Sequence, residues 1–188
     1  MTLLTELDAV NQMLRVIGEQ PTNTLEEVGF SQVELARQTL NDTSRIVQSQ
    51  GWWFNTENKY KLMRDQNNKI PIPAGVLQLD ASDDTKNYTP RGVYLYDLSE
   101  HTDTFKDNVE VDLVAFLPFE ELPQTARTYI TLKAARTFQM IVLGSELIHQ
   151  TLAGDEMAAY LMLRSEDTKF KDCNILQNNS YIQRLKRR

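Results

Sequence analysis

The hydrophobic period of this chain changes twice, and those changes constrain the fold more than any single motif does. Apolar residues recur every three or four positions over residues 6–17 and again over residues 31–50, which predicts two amphipathic helices. From residue 55 to about residue 118 the apolar residues alternate with polar ones, as they do in strands. Helical spacing returns after Pro123. This order predicts an α+β protein in which a small antiparallel sheet interrupts a helical module.

Residues that commonly begin or end helices agree with this pattern. Thr5 can cap the first helix, and Gly18 followed by Pro21 can end it. Gly51 stands where a glycine in the left-handed conformation would end the second helix. After Pro123 the apolar residues occupy two sides of the predicted helix, which is typical of a helix at the centre of a bundle.

A last helix is predicted over about residues 152–172. The apolar side of this helix is expected to consist of Leu152, Ala159, Leu163 and Phe170. A wall of charged residues is expected to face solvent, namely Arg164, Glu166, Asp167, Lys169 and Lys171.

Strands are expected between the helical segments. Residues 109–113 alternate cleanly between apolar and acidic side chains, which predicts one buried and one solvated face. Residues 76–79 and 93–96 are shorter candidates bounded by glycine or proline. The prolines in residues 70–73 cannot donate ladder hydrogen bonds, so this segment suits a sheet edge. We expect a small antiparallel sheet of three to five strands.

The predicted domain organisation is discontinuous. Residues 1–56 and 120–173 are expected to form one four-helix module, and residues 57–119 the inserted β subdomain. Residues 174–188 are rich in amides and end in cations. We expect them to be an extended, flexible C-terminal tail that becomes ordered on a partner.

The charge distribution argues against some classes of protein. Four of the 20 cations lie in the last five positions, so residues 1–183 carry 16 cations against 26 acids. A dedicated duplex-DNA binder needs a basic surface, which this acidic body lacks. The single cysteine, Cys173, excludes an intrachain disulfide, and no apolar run is long enough to span a bilayer. We expect a soluble protein of a reducing compartment, with no membrane anchor.

The sequence contains none of the common catalytic motifs. A metalloprotease motif, a nucleophile elbow and a glycine-rich phosphate loop are all absent, so we predict no enzyme, no catalytic residue and no cofactor. His101 lies near Asp103 and Asp107 and could form a weak cation site, although a solvated loop is the preferred interpretation. A calcium-loop spacing begins at Asp80 but lacks the required glycine and the final glutamate, so we interpret it as a turn.

Three adjacent aromatic residues, Trp52, Trp53 and Phe54, follow the second helix. They could form a stacking platform for nucleobases. They could also anchor the core where helix gives way to strand. We prefer the second interpretation, because three adjacent side chains cannot share one face of a helix or a strand.

The C-terminus holds the one local concentration of positive charge. It could attract nucleic acid weakly, dock on a protein partner or remain solvated. The apolar residues among its cations favour protein docking, because an electrostatic arm alone does not need them. The candidate docking residues are Tyr181, Ile182, Arg184, Leu185, Lys186, Arg187 and Arg188.

Four segments, in the same order, resemble the tail tubular protein A family of short-tailed bacteriophages. They lie within residues 7–26, residues 49–55 with a Gly-Trp-x-Phe-Asn element, residues 91–105 beginning Arg-Gly-Val-Tyr-Leu-Tyr-Asp, and residues 119–138. The resemblance covers about residues 7–145. Its structural anchors are expected to be Gly51, Trp52, Trp53, Phe54, Arg91, Gly92, Tyr94 and Tyr96.

The resemblance implies a structural virion protein. Proteins of this kind form a twelve-fold adaptor ring that joins the portal to the tail nozzle, which is of the tail tubular protein B type. They also contribute to tail-fibre attachment and to the channel through which genomic DNA passes without specific binding. The expected location is the virion tail, after assembly in the host cytoplasm. The alternative is a single-stranded nucleic-acid-binding protein that uses Trp52, Trp53 and the basic C-terminus.

Overall fold

Residues 3–26 and 31–178 are described by a computed structural model, with side chains as far as residue 171. The chain divides into two units, each with its own core. Unit 1 comprises Met1–Ser44 and Pro118–Arg188, and unit 2 comprises Arg45–Leu117. Four helices and two small antiparallel sheets make up these units, so the predicted α+β class is confirmed. Within the described residues, no helix is both long and apolar enough to cross a membrane.

The helices begin and end close to the predicted positions, except for the last one. Helix α1 is Glu6–Val16, α2 is Gln32–Gln48, α3 is Gln124–Val142 and α4 is Glu146–Asn178. A short 3₁₀ turn, Phe119–Glu121, precedes α3. Helix α2 begins in unit 1, and its last turn belongs to unit 2.

Helix α3 lies at the centre of unit 1. It packs against α1 on one side and α4 on another, as its two apolar faces predict. Five of its apolar residues are fully buried, namely Ala126, Ile130, Ala134, Ala135 and Phe138. Its amino-terminal turn is held to the rest of unit 1 by Arg127, a residue that is only 3% exposed.

Helix α4 corrects three predictions. It begins at Glu146 and continues to Asn178, so residues 174–178 of the predicted tail are helical, and the rest of that tail lies outside the described residues. Phe170, expected in the core, is 53% exposed, whereas Asp167, expected in solvent, is 8% exposed. The cause is the unequal length of the two helices. Thr125 in the first turn of α3 donates to Glu166 at 2.7 Å, so Phe170 lies beyond the start of α3.

A reciprocal capping box begins α1, as the position of Thr5 predicts. The Thr5 hydroxyl accepts from the Asp8 amide at 3.1 Å, and an Asp8 carboxylate oxygen accepts from the Thr5 amide at 3.1 Å. The Thr5 hydroxyl also donates to that oxygen at 2.7 Å. These hydrogen bonds from Thr5 hold the pKa of Asp8 below its ordinary value.

We expect Thr5→Ala to lower the free energy of unfolding by about 1 kcal/mol at neutral pH. Because the folded-state pKa of Asp8 is lowered, the carboxylate's contribution is present above the unfolded aspartate value of about 3.9 and is lost as the pH falls below it. The difference between variant and wild type should therefore shrink towards about pH 3. Urea unfolding at both pH values measures it, and a penalty independent of pH would contradict this account.

Unit 2 contains a three-stranded and a two-stranded antiparallel sheet. In the first, β5 (Val109–Ala115) lies between β1 (Thr56–Leu62) and β2 (Val76–Ala81). In the second, β3 (Tyr88–Arg91) and β4 (Tyr94–Asp97) form a hairpin. The core between these strands is made of Leu62, Ile70, Tyr88, Leu95, Phe105, Val111 and Leu113.

Strands β1 and β3 were not predicted, and the physical reasons differ. Strand β1 has a register shift against β5 and a left-handed residue, Lys59, so its side chains do not alternate. Only Leu62 of β1 is buried. Strand β3 contains Pro90, which breaks the usual strand signal. The predicted edge segment at residues 70–73 lies beside the β3–β4 hairpin, with an isolated bridge from Pro71 to Tyr94. The Ile72 amide donates to the Val93 carbonyl and the Leu95 amide donates to the Ile70 carbonyl, each at 2.9 Å.

Gly51 ends α2 with a φ of +73°, as its position predicts. A Cβ atom there would also lie 3.3 Å from the Val114 side chain. We expect Gly51→Ala to cost about 2 kcal/mol or more, because left-handed strain of about 1–2 kcal/mol adds to this close contact. Gly92 has a φ of +65° with open space around it, so Gly92→Ala should cost only the strain. Equal losses in urea unfolding would show that the contact with Val114 does not matter.

Candidate interaction surfaces

Trp52 is buried and only 5% exposed. Its indole N–H donates to the Val47 carbonyl at 2.7 Å, and its backbone amide donates to the Asn55 side chain at 2.9 Å. Trp53 and Phe54 are half-buried and meet edge to face, with ring centroids 5.0 Å apart. This arrangement leaves Trp52 no exposed face on which a base could stack.

Two side-chain amides join the chain where it enters and leaves unit 2. The Gln48 amide donates to the Leu117 carbonyl at 2.9 Å and accepts from the Leu117 amide at 2.8 Å. The Asn55 amide donates to the carbonyls of Gln48 and Ala115, each at 2.9 Å. Both side chains are buried. These bonds join the first segment of unit 2, residues 48–55, to its last segment, residues 115–117.

The β3–β4 hairpin presents the second group of predicted anchors. The Arg91 guanidinium lies 3.4 Å from the centre of the Tyr96 ring, a cation–π contact across the hairpin. Gly92 makes the turn with a positive φ, and Val93 beside it is 68% exposed. The Arg91–Tyr96 contact therefore joins the two strands of the hairpin, and the apolar side chain of Val93 is exposed to solvent at its turn.

A pair of opposite charges lies beside this hairpin. The Lys69 ammonium is 2.6 Å from an Asp103 carboxylate oxygen and 5.5 Å from the centre of the Tyr94 ring. The hydrogen bond between the two groups raises the pKa of Lys69 and lowers the pKa of Asp103. Asp103 is thus engaged by a cation rather than by His101. Among the described residues no group of three or more His, Cys, Asp or Glu side chains could hold a metal ion.

A third surface, on α4, was missed by the sequence reasoning. We call it the outer α4 face. It comprises Leu147, Gln150, Thr151, Gly154, Met157, Ala158, Leu161, Ser165 and Thr168, all exposed and none charged. These residues lie opposite the buried row of Ala159 and Leu163. The signal that could have found this face is the spacing of three and four between its residues. The charged residues of the same helix obscured that spacing.

Several large apolar side chains on this face are exposed. Leu147 is 76% exposed, Met157 57% and Leu161 57%, with Met162 at its margin 64% exposed. Single exposed apolar side chains need no explanation, but a row of them along one helix face is typical of an interaction site.

The candidate docking residues at the C-terminus lie outside the described residues. Those residues are Tyr181, Ile182, Arg184, Leu185, Lys186, Arg187 and Arg188. Their docking role stays a prediction.

An apolar hairpin tip and an uncharged helix face, both exposed, are typical of a protein that acts through protein–protein contacts. Comparison with known proteins gives its family. The tail tubular protein family model matches residues 7–173, well beyond the expected limit of about residue 145. Tail tubular protein A of Klebsiella phage KP34 is 33% identical over 128 residues, which are 68% of this chain and 67% of that protein. The chain belongs to the tail tubular protein family, and it is a structural protein of a phage virion tail.

Proposed function

We propose that the protein is the head-to-tail adaptor, a ring of twelve copies that joins the portal to the tail nozzle. Its membership of the tail tubular protein family is the observation that carries this proposal. A ring of identical subunits needs heterologous contacts that close after a fixed rotation. Each subunit must also present separate surfaces to the components above and below it, and the two units supply several.

The surfaces described above suit these contacts. The outer α4 face is uncharged and exposed, as a subunit contact requires before assembly. The β3–β4 hairpin presents Val93, which could enter an apolar pocket of a neighbouring component such as the nozzle. The basic C-terminal residues would dock on an adjoining ring, where twelve-fold repetition increases avidity. Seating of the tail fibre belongs to the same proposal.

The charge of the chain suits a channel for DNA. Each copy carries a net charge of −6, so twelve copies would carry roughly −70. Acidic residues lining the lumen would repel the DNA phosphates and let the genome pass without specific binding. Replacing such residues with amides should slow genome ejection, and unchanged ejection kinetics would exclude this part of the proposal.

The alternative, a single-stranded nucleic-acid binder, is less well supported. It would use Trp52 and Trp53. The ring of Trp52 is buried and hydrogen-bonded, and Trp53 is half-buried against Phe54. The local concentration of positive charge that the alternative would need is found in the last five residues of an acidic chain.

Binding to the portal of the same phage, compared with binding to DNA, separates the two functions. The adaptor should bind the immobilised portal ring in moderate salt and should not retain single-stranded or duplex oligonucleotides. Salt-dependent binding to oligonucleotides without any binding to the portal would replace this proposal with the alternative.

A further inference from the structure

We propose that the outer α4 face is the surface through which one copy contacts the next copy in the ring. This inference rests on the proposed adaptor function and names the subunit contact within it. A closed ring needs heterologous contacts, so the face meets a different surface of the neighbouring copy rather than its own counterpart.

The composition of the face favours burial against a protein. Large apolar side chains at Leu147, Met157 and Leu161 surround the smaller Gly154 and Ala158. Such a surface offers a groove between ridges into which a neighbouring element can pack. It is also uncharged in a chain with a net charge of −6. Two copies of an acidic protein can approach closely where no charge has to be buried.

Glycine at position 154 lowers the stability of α4 in the isolated chain. It lies in the interior of a 33-residue helix, two turns from its start, where glycine is the least favourable residue other than proline. A Cβ atom at this position would meet nothing within 4 Å, so no contact inside the described chain requires glycine. Close approach of another molecule is a reason to keep it.

The two threonine hydroxyls of the face can be covered without losing hydrogen bonds. The Thr151 hydroxyl donates to the Leu147 carbonyl at 2.9 Å, and the Thr168 hydroxyl donates to the Arg164 carbonyl at 2.9 Å. A hydroxyl already bonded to its own helix pays little desolvation penalty when a neighbour covers it.

The size of the face fits a contact that is weak in isolation. From Leu147 to Thr168 it is about 32 Å long and about 10 Å wide, or about 320 Å² per copy. A stable pair of proteins buries about 800 Å² per partner. Two free copies should therefore separate, whereas copies held side by side on a template gain from repeated contacts around the ring. Ring formation should therefore begin when copies bind to the portal.

The test is a titration of the purified, full-length chain onto the cognate portal ring in excess, followed by native mass spectrometry. A bound wild-type copy should favour binding of the next copy beside it. Wild type should therefore fill some portals completely and leave others empty. Gly154→Gln should bind without this cooperativity, with a Hill coefficient of about 1. Because glutamine favours helix and the site is open, the same variant should unfold at a higher urea concentration than wild type, which excludes misfolding.

A matched pair of charge substitutions provides the control. Leu161 on the face is 57% exposed and Ile46 on α2 is 58% exposed. Leu161→Asp should abolish cooperative filling, whereas Ile46→Asp should fill portals as wild type does.

The results separate the two proposals. No binding of wild type to the portal would overturn the adaptor function and this inference with it. Cooperative filling by Gly154→Gln and Leu161→Asp would overturn the inference and leave the adaptor function standing. Loss of even the first bound copy in these variants would assign the face to the portal instead of the neighbouring copy. Equal loss in Ile46→Asp would show a general effect of added charge and would also overturn the inference.

Discussion

Replacing Asn55 with alanine is expected to lower the free energy of unfolding of unit 2 by about 3–5 kcal/mol. The side chain is 3% exposed and makes three hydrogen bonds to backbone groups. Alanine would leave the Trp52 amide and the carbonyls of Gln48 and Ala115 without these partners. Each buried backbone group left unpaired costs about 1–3 kcal/mol, and the smaller side chain also leaves a cavity.

Tryptophan fluorescence measures this loss selectively, because both tryptophans of the chain lie in unit 2. Asn67→Ala is the control, since Asn67 is exposed and its substitution should change stability by less than about 0.5 kcal/mol. A loss below about 1 kcal/mol for Asn55→Ala would show that these hydrogen bonds do not hold unit 2 together.

Arg127→Ala is expected to destabilise unit 1 by about 3–5 kcal/mol. The guanidinium is almost fully buried and donates to the carbonyls of Leu122 and Leu4, each at 2.7 Å. It also bonds the backbone carbonyl of Glu120 and lies 3.2 Å from the Glu120 carboxylate. The substitution would release the residues preceding α1 and the turn preceding α3 together. Because lysine cannot reproduce the planar fork of donors, Arg127→Lys should recover only part of the loss.

Circular dichroism at helical wavelengths follows this unfolding, because unit 1 contains most of the helix. Arg15→Ala is the matched control: Arg15 is exposed on α1 and should contribute less than about 0.5 kcal/mol. Full recovery of stability by Arg127→Lys would contradict the role assigned to the guanidinium fork.

The helices were predictable because their signal is local. The three-four spacing, Thr5 and Gly51 located α1 and α2 without any knowledge of tertiary contacts. The limits of α4 were not predictable in this way. Whether Phe170 is buried depends on where α3 starts, and that is a relation between distant segments.

The strands were partly predictable for a similar reason. Strand β5 is central and alternates, so its pattern was clear. Strand β1 is an edge strand with a bulge, which removes the alternation on which the prediction depends. Polar residues at such an edge cannot be distinguished from a loop by sequence alone.

The candidate surfaces also depend on tertiary contacts that the local sequence does not reveal. The sequence left two interpretations for Trp52, and the burial of its ring, with the bond from its indole to the Val47 carbonyl, decides between them. The outer α4 face escaped notice because exposed uncharged residues give no signal until the buried side of the helix is known.

The most direct test of the adaptor ring is the mass of the purified portal before and after addition of this protein, measured by light scattering. The chain has a mass of 21.7 kDa, so twelve copies should add about 260 kDa to each portal. The protein alone should remain below the mass of a ring. No gain in portal mass, or a gain that corresponds to a number of copies other than twelve, would contradict the account.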